Sequence, residues 1–334
     1  MKMDTSSALM KISIDQLCLP RRPQRLLLMC IVLLVVSIPA LCTRTGQAAE
    51  NNPLELPPAP LPNYQVGTKF VYSDGTWETV KEVGVKQITW VNHRKQVSVG
   101  TPDFTYKRAR WETSTRYGFR RFTQAIFLQE KTTSTLWPLE VGNRSRYEEF
   151  GRWYNQDGIE QRYDLYWSCE VKGTEKISVA AGDFDTWKIT CRRYPDKFRT
   201  ASRTREYRTW YYAPSINHWV LESRDYNGYK PNQRKELVAV MPDMGTFTTN
   251  EADRTSIQQT FQNTLEENQD QDTAIWENFN QQLVIGITPL KSFTHPSGNR
   301  CRQYHQVIAK DGVPFEFPGI ACKDPGGRWV VPRR

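Results

Sequence analysis

From Tyr64 to about Val240 the chain alternates apolar and polar residues in short runs, each closed by a turn signal. The first run is Lys69-Phe70-Val71-Tyr72, and Asp74-Gly75 reverses it. Further runs cover 86–91, 116–122, 144–153, 163–171, 175–179, 186–191, 205–212 and 218–223. Asp157-Gly158, Lys172-Gly173, Gly182-Asp183 and Asn227-Gly228 punctuate them, dipeptides suited to tight turns. Helical spacing is almost absent. Many short strands joined by tight turns predict an antiparallel sheet of high curvature, and roughly 180 residues are enough to enclose a core.

The period changes after a polar joint at 241–250. Ile257, Phe261 and Leu265 recur at i, i+4 and i+8, the spacing of a helix with one buried stripe, and Asp253 is placed to cap it. Trp276 then opens a small β unit running to Val331. At its centre Asp311-Gly312, flanked by half-apolar segments, predicts a hairpin with a two-residue type I′ turn. Lys310 then pairs with Val313, and counting outward sets Cys301 opposite Cys322. That position is a non-hydrogen-bonded pair with Cα atoms about 4.5 Å apart, close enough for a disulfide. Pro314 and Pro318 fall on positions of the same kind, so neither removes a ladder bond. The expected fold is mostly β: a curved antiparallel sheet domain at 64–242, followed by a small α+β, disulfide-stapled domain at 251–334.

The other end of the chain reads as targeting sequence. Arg21, Arg22 and Arg25 precede an apolar run at 26–41, from Leu26 to Leu41, and small residues follow it. The run is shorter than the ~20 residues of a comfortable membrane-spanning helix. Residues 1–48 are therefore expected as a cleaved signal peptide or a retained N-terminal membrane anchor. Lipid attachment at Cys42 is disfavoured, because Leu41 precedes it where lipoprotein signals carry a small residue. Pro53, Pro57, Pro58, Pro60 and Pro62 make 49–63 a stiff, extended linker.

Export changes how the cysteines read. Cys18, Cys30 and Cys42 belong to the targeting region, which leaves Cys169, Cys191, Cys301 and Cys322. An even number in an exported chain implies disulfides, and the absence of a Cys-x-x-Cys pair argues against zinc. Parity and short separation favour Cys169–Cys191 beside Cys301–Cys322. With turns at Lys172-Gly173 and Gly182-Asp183, the former would join the first and third strands of a meander. The formal charge of +9 divides as +4 in residues 1–48, −1 in 251–334 and +6 between, a mildly basic solvated surface. Nucleic acid is not an expected partner for an exported chain.

Catalytic chemistry is hard to find. His93, His218, His295 and His305 form no metal-spaced pair, and His305 shares the strand face of Cys301, where it is expected to pack beside the disulfide. Glu148 and Glu149 are adjacent on a strand and must face opposite ways, so they cannot serve one glycosidase site. Asp183 beside Gly182 reads as a turn residue. No nucleophile elbow or phosphate loop appears. No cofactor, metal or catalytic residue is assigned. Aromatic density does stand out, and Trp153, Trp167, Trp187, Trp210 and Tyr212 form the candidate ligand face of the curved sheet. A second stripe sets Arg108, Arg110, Arg116, Arg120 and Arg121 among Trp111, Tyr117 and Phe119.

The last 84 residues resemble the C-terminal domain of the bacterial seventeen-kilodalton surface antigen family. The matching residues are Ile257, Phe261 and Leu265, then Trp276, Asn278, Thr288-Pro289, Arg300-Cys301-Arg302-Gln303-Tyr304, Asp311-Gly312, Ala321-Cys322 and Gly327-Arg328-Trp329. The resemblance implies a Gram-negative envelope location, a small mixed fold and no enzymatic role. Members of that family carry a lipidated cysteine and a glycine-rich membrane segment before this domain, where this chain has its β domain. The β domain is similar to uncharacterised exported β proteins of proteobacteria through Val66-Gly67-Thr68, Leu136-Trp137-Pro138-Leu139 and Ala181-Gly182-Asp183-Phe184-Asp185-Thr186. The expected function is that of a non-enzymatic exported envelope protein, a structural or interaction module. Its expected partners are cell-envelope components: lipid, peptidoglycan or envelope protein. The alternative is a periplasmic carrier or sensor that binds a lipid or glycan in the curved β domain. The expected location is the periplasm, the outer membrane or the cell surface, or the inner membrane facing the periplasm if 26–41 is retained.

Overall fold

A computed structural model describes residues 54–106, 110–114, 121–129, 136–154, 160–195 and 204–332. The expected signal or anchor, with 26–41 and Cys42, lies outside the described residues, as does the Asp157-Gly158 turn. Asn51–Arg334 forms one compact unit. Its first strands are β1 (Lys69–Tyr72), β2 (Trp77–Val83), β3 (Ile88–Asn92), β4 (Val97–Gly100), β5 (Arg110–Ser114) and β6 (Arg121–Gln129). There follow β7 (Arg144–Tyr154), β8 (Glu160–Val179), β9 (Gly182–Tyr194), β10 (Glu206–Ala213), β11 (His218–Asp225) and β12 (Gln233–Met241). Each pairs antiparallel with the next, and β12 returns to pair with β1. The curved sheet is thus a closed up-and-down barrel, the arrangement that removes exposed strand edges.

Alternation along each strand sorts side chains between lumen and solvent. On β8 and β9, Trp167, Cys169, Val171, Ile189 and Cys191 are buried. Their neighbours point outward and pair in water: Arg144 with Glu170 at 3.2 Å, Lys172 with Glu170 at 2.6 Å, and Lys188 with Glu175 at 3.0 Å. This wall presents charge where a lipid-facing barrel carries an apolar band.

The Lys172-Gly173 signal marks a bulge rather than a turn. Val171 faces Ile189 and Gly173 faces Lys188, so Lys172 is an extra residue and β8 runs straight on. Gly173 supplies the required backbone at φ 138°. The chain reverses at Ala180-Ala181, ahead of Gly182. Cys169 and Cys191 therefore lie on adjacent strands, directly opposite, with Cα atoms 3.9 Å apart and a disulfide between them. No intervening strand separates them.

The remaining elements are α1 (Glu251–Glu267), β13 (Ala274–Asn278), β14 (Leu283–Thr294), β15 (Arg300–Lys310), β16 (Val313–Lys323) and β17 (Trp329–Val330). Asp311 and Gly312 sit at φ 52° and 80°, a type I′ turn. The ladder of β15 and β16 then runs in step from Lys310 and Val313 to the bonded pair Cys301 and Cys322. The cap of α1 is Asn250 rather than Asp253, because Asn250 is the last extended residue and its side chain accepts from the Ala252 amide at 2.9 Å. Asp253 lies within the first turn. Its carboxylate accepts from Asn278 Nδ2 at 3.0 Å and Gln281 Nε2 at 2.8 Å, tying the helix to the end of β13.

The stretches 64–242 and 251–334 meet along a packed seam. Ala239 on β12 pairs with Gly319 on β16, and Gln303 Nε2 donates to the Ala180 carbonyl at 3.1 Å. Phe247, in the joint, packs edge-on against Phe315 and Phe317. Residues 54–63 are extended as their prolines require, yet docked: Ala59 is buried and exchanges backbone hydrogen bonds with Leu139 at 3.3 and 2.7 Å. Gly319 has no room for a side chain, since a Cβ would stand 2.7 Å from the Ala239 Cβ and 2.9 Å from the Tyr304 hydroxyl. Gly319→Ala is therefore expected to destabilise the chain by about 1–3 kcal/mol, the cost of overpacking a filled contact. Urea denaturation reads it, and an unchanged midpoint would mean that the seam yields freely.

Candidate functional site

The candidate aromatic face divides when its side chains are followed into the barrel. Trp167, Trp187, Trp210 and Tyr212 are all buried. Tyr212 stacks on Phe104 at 5.7 Å and meets Trp137 edge-on at 5.3 Å, deep in the packing, and Trp187 belongs to the same core. Trp210 borders open space. The side chain of Trp153, and those of the arginine stripe at 108–121, lie outside the described residues.

Trp210 lines a cavity of about 230 Å³ inside the barrel, whose walls also hold Tyr64, Trp90, Phe104 and Trp219. Its polar lining is unusual for a lumen. Glu206, Arg208, Trp210 and Tyr212 share one parity on β10, so burying the aromatics carries the two charges inside with them. Arg208 donates from Nε and Nη2 to Glu206 at 2.9 and 2.6 Å, and its Nε lies 3.6 Å from Glu222. Glu206 is also 2.9 Å from Arg193, while Arg224 makes a fork to both oxygens of Glu222 at 2.8 and 2.9 Å. Burial raises the Glu206 carboxyl, but the surrounding guanidinium groups of Arg208, Arg193 and Arg224 outweigh it and hold the group below its usual value. The Arg208 guanidinium stacks over Trp167 at 4.9 Å and over Trp210 at 5.4 Å. Composition carried no sign of this network; strand parity was the available signal.

On the far wall His218 is enclosed by aromatic groups. It stacks on Phe70 at 3.9 Å between centroids, with Nδ1 3.1 Å from the Tyr64 hydroxyl and Nε2 2.9 Å from the Tyr72 hydroxyl. Tyr72 also donates to Glu78 at 2.7 Å, so the imidazole, the hydroxyl and the carboxylate form one chain of polar contacts. The imidazole is a positioned spacer between two hydroxyls. His305 is half-buried on β15, with Nε2 3.5 Å from Glu316. Glu149 is buried and accepts from Trp167 Nε1 at 2.8 Å, while Glu148 takes the opposite side of β7. Asp183 and Asp185 are exposed on β9. Among the described residues no group of His, Cys, Asp and Glu side chains is arranged to hold a metal ion.

The residues shared with the surface antigens are spent on structure. Arg302, 2% exposed, donates from Nη1 to the carbonyls of Leu265 at 2.9 Å and Asn268 at 2.8 Å. These are end groups of α1, where a cation is favoured. Its Nη2 donates to Asp270 at 2.6 Å. Trp329 exchanges backbone bonds with the Gln262 amide and donates from Nε1 to Glu266 at 3.0 Å. Leu265, Tyr304, Ala321 and Trp329 form one apolar cluster beneath the helix. Cys301–Cys322 closes the far end of the same hairpin.

Residues 263–330 match the family described as 17 kDa outer membrane surface antigen. The 17 kDa surface antigens of Rickettsia bellii, Rickettsia rickettsii and Rickettsia felis are each 31% identical over 81 residues. That stretch is 24% of this chain and 51% of each relative, so the chain spans about half the length of the curated relatives it matches. The match contains the motif residues from Leu265 to Trp329, while Ile257 and Phe261 precede it. Among solved structures, the hypothetical lipoprotein YmcC from Escherichia coli aligns with 55% of this chain and 90% of its own at 9% identity and a TM-score of 0.32.

Proposed function

We propose that this chain is a non-enzymatic exported envelope protein that acts as an interaction module. The observation that carries the reading is how the residues of the resemblance are used: Arg302, Tyr304, Trp329 and the Cys301–Cys322 bond brace the C-terminal fold. Two disulfides support folding in an oxidising compartment. The likeness to surface antigens supports an envelope location. Surfaces for a partner are present on both sides of β17. One open groove of about 870 Å³ runs between α1 and β1, past Phe261, Trp77 and Met241. Another, of about 830 Å³, is lined by Phe293, Ile320 and Val238. Val330 borders both grooves and is 40% exposed.

A photo-crosslinking side chain at Val330 tests the proposal in intact cells. The expected result is a discrete adduct with an envelope component, absent when the same group stands at Asp183 on the outer barrel wall. Recovery of the chain in the cytosol, or the same adducts from both positions, would overturn it. A carrier for lipid fits poorly, because the barrel cavity is small and ringed by charge. A glycan fits its polar lining better.

A further inference from the structure

The barrel cavity is more than leftover space between packed rings. Its floor is buried, formed by Tyr64, Trp90, Asp103, Trp210, His218 and Glu222, and its rim is half-buried at Glu78, Thr101, Phe104 and Arg224. Arg208 is 7% exposed and lines the same space. Its Nε and Nη2 are committed to Glu206, but Nη1 has no hydrogen-bond partner among the described residues and is not sealed within the protein. A buried guanidinium with free donors is costly unless something polar occupies the space before it. The cavity therefore presents a strong donor on an aromatic-walled surface.

The lining also says what kind of group belongs there. Three cations, Arg208, Arg224 and Lys235, stand against three carboxylates, Glu78, Asp103 and Glu222. Among the described lining residues these formal charges balance, so they favour neither sign of ion. An acyl chain would strand these charges in a dry site. A volume of about 230 Å³ is below the ~300–1,000 Å³ of pockets for drug-sized ligands. It suits one ring. A ligand that matches has an apolar face for Trp90, Phe104 and Trp210, and hydroxyls around its edge that both donate to carboxylates and accept from a guanidinium.

We propose that this cavity binds a single neutral sugar ring, the end residue of an envelope glycan. The envelope reading above supplies only the source of the sugar, and the chemistry of the cavity stands apart from it. Trp90, Trp210 and Trp219 line the walls, so occupancy is expected to change intrinsic tryptophan fluorescence. The experiment uses the purified full chain in a detergent without a sugar headgroup. Glucose, galactose and N-acetylglucosamine are titrated by fluorescence and calorimetry, with glucuronate and glutamate as charged comparators. At least one neutral sugar is expected to bind at millimolar concentration or below, about 10-fold or more tighter than either comparator. Thr101→Trp places bulk at the rim, at the loss of one hydrogen bond from the Thr101 hydroxyl to the Asp103 carbonyl, and should weaken that binding about 10-fold or more with the chain still folded. If this variant melts early, Phe104→Leu, which removes one aromatic wall but keeps apolar packing against Trp137 and Tyr212, should give the same loss. The proposal is overturned if no neutral sugar binds, if a charged comparator binds more tightly, or if the folded rim variant binds as well as the parent. None of these results alters crosslinking at Val330, which reads a different surface.

Discussion

Arg208→Met should lower the stability of the folded chain by about 3–5 kcal/mol, because it removes one partner of a buried ionic cluster and strands the other. Arg208 is the bridge between Glu206 and Glu222, both almost fully buried. Without it Arg193 still reaches Glu206 Oε2 and Arg224 still forks to both oxygens of Glu222, but Glu206 Oε1 is left unpaired against a low-dielectric wall. The stacking of the guanidinium on Trp167 and Trp210 is lost as well, although the methionine stem replaces part of that contact. Urea denaturation at neutral pH measures the loss. Adding Glu206→Leu to Arg208→Met should restore part of it, since an apolar pair of similar volume carries no stranded charge. A loss below about 1 kcal/mol would mean that water enters the lumen and screens the cluster.

The same cluster sets an acid limit. Glu206 has a folded-state pKa below that of the unfolded chain. Its contribution is present above the unfolded value and disappears as pH falls through the lower, folded one. Stability should therefore drop through the acid side of the ordinary glutamate range, and Glu206→Gln should flatten that drop while lowering stability at pH 7.

Arg302→Met is expected to cost about 3 kcal/mol. Its guanidinium serves the Leu265 and Asn268 carbonyls and the Asp270 carboxylate together, and hydrogen bonds to charged groups contribute about 1.5–3 kcal/mol each without adding fully. The effect should be local at first. Amides in the last turn of α1 should exchange faster, and Asp270, held low chiefly by its bond to Arg302, should titrate closer to an ordinary aspartate. Protection in the last turn equal to that of the parent would show that the cap is redundant.

The hairpin from Cys301 to Cys322 was legible in full because its information is local. Asp311-Gly312 admits a turn with two positive φ values, and the ladder then counts outward with no further choice. The Cys169–Cys191 pairing was also accessible, though not the strands it joins. Gly173 has the composition of a turn and the role of a bulge, and both use the same backbone freedom. Which one occurs depends on whether a partner strand continues alongside. Asp253 reads as a cap in the sequence for a similar reason, although Asn250 fills that place. Either Asn250 or Asp253 has the chemistry, and the docking of Asn278 and Gln281 engages the carboxylate elsewhere.

The sequence by itself determined that strands of period two fill 64–240, that a helix and a stapled hairpin follow, and that the C-terminal residues resemble surface antigens. Each of these depends on neighbours within a turn or a hairpin. Tertiary structure decided that β12 closes on β1, that Arg208 and its carboxylates share the lumen with Trp210, and that His218 stands between Tyr64 and Tyr72. Alternation tells which residues share a face, but not which face turns inward. A charged residue is affordable inside only when counter-charges arrive from neighbouring strands, as Glu222 on β11 does for Arg208 on β10, and the buried His218 likewise meets Tyr64 across 154 residues. Burial of charge is a property of the assembled partners, and no single strand carries it.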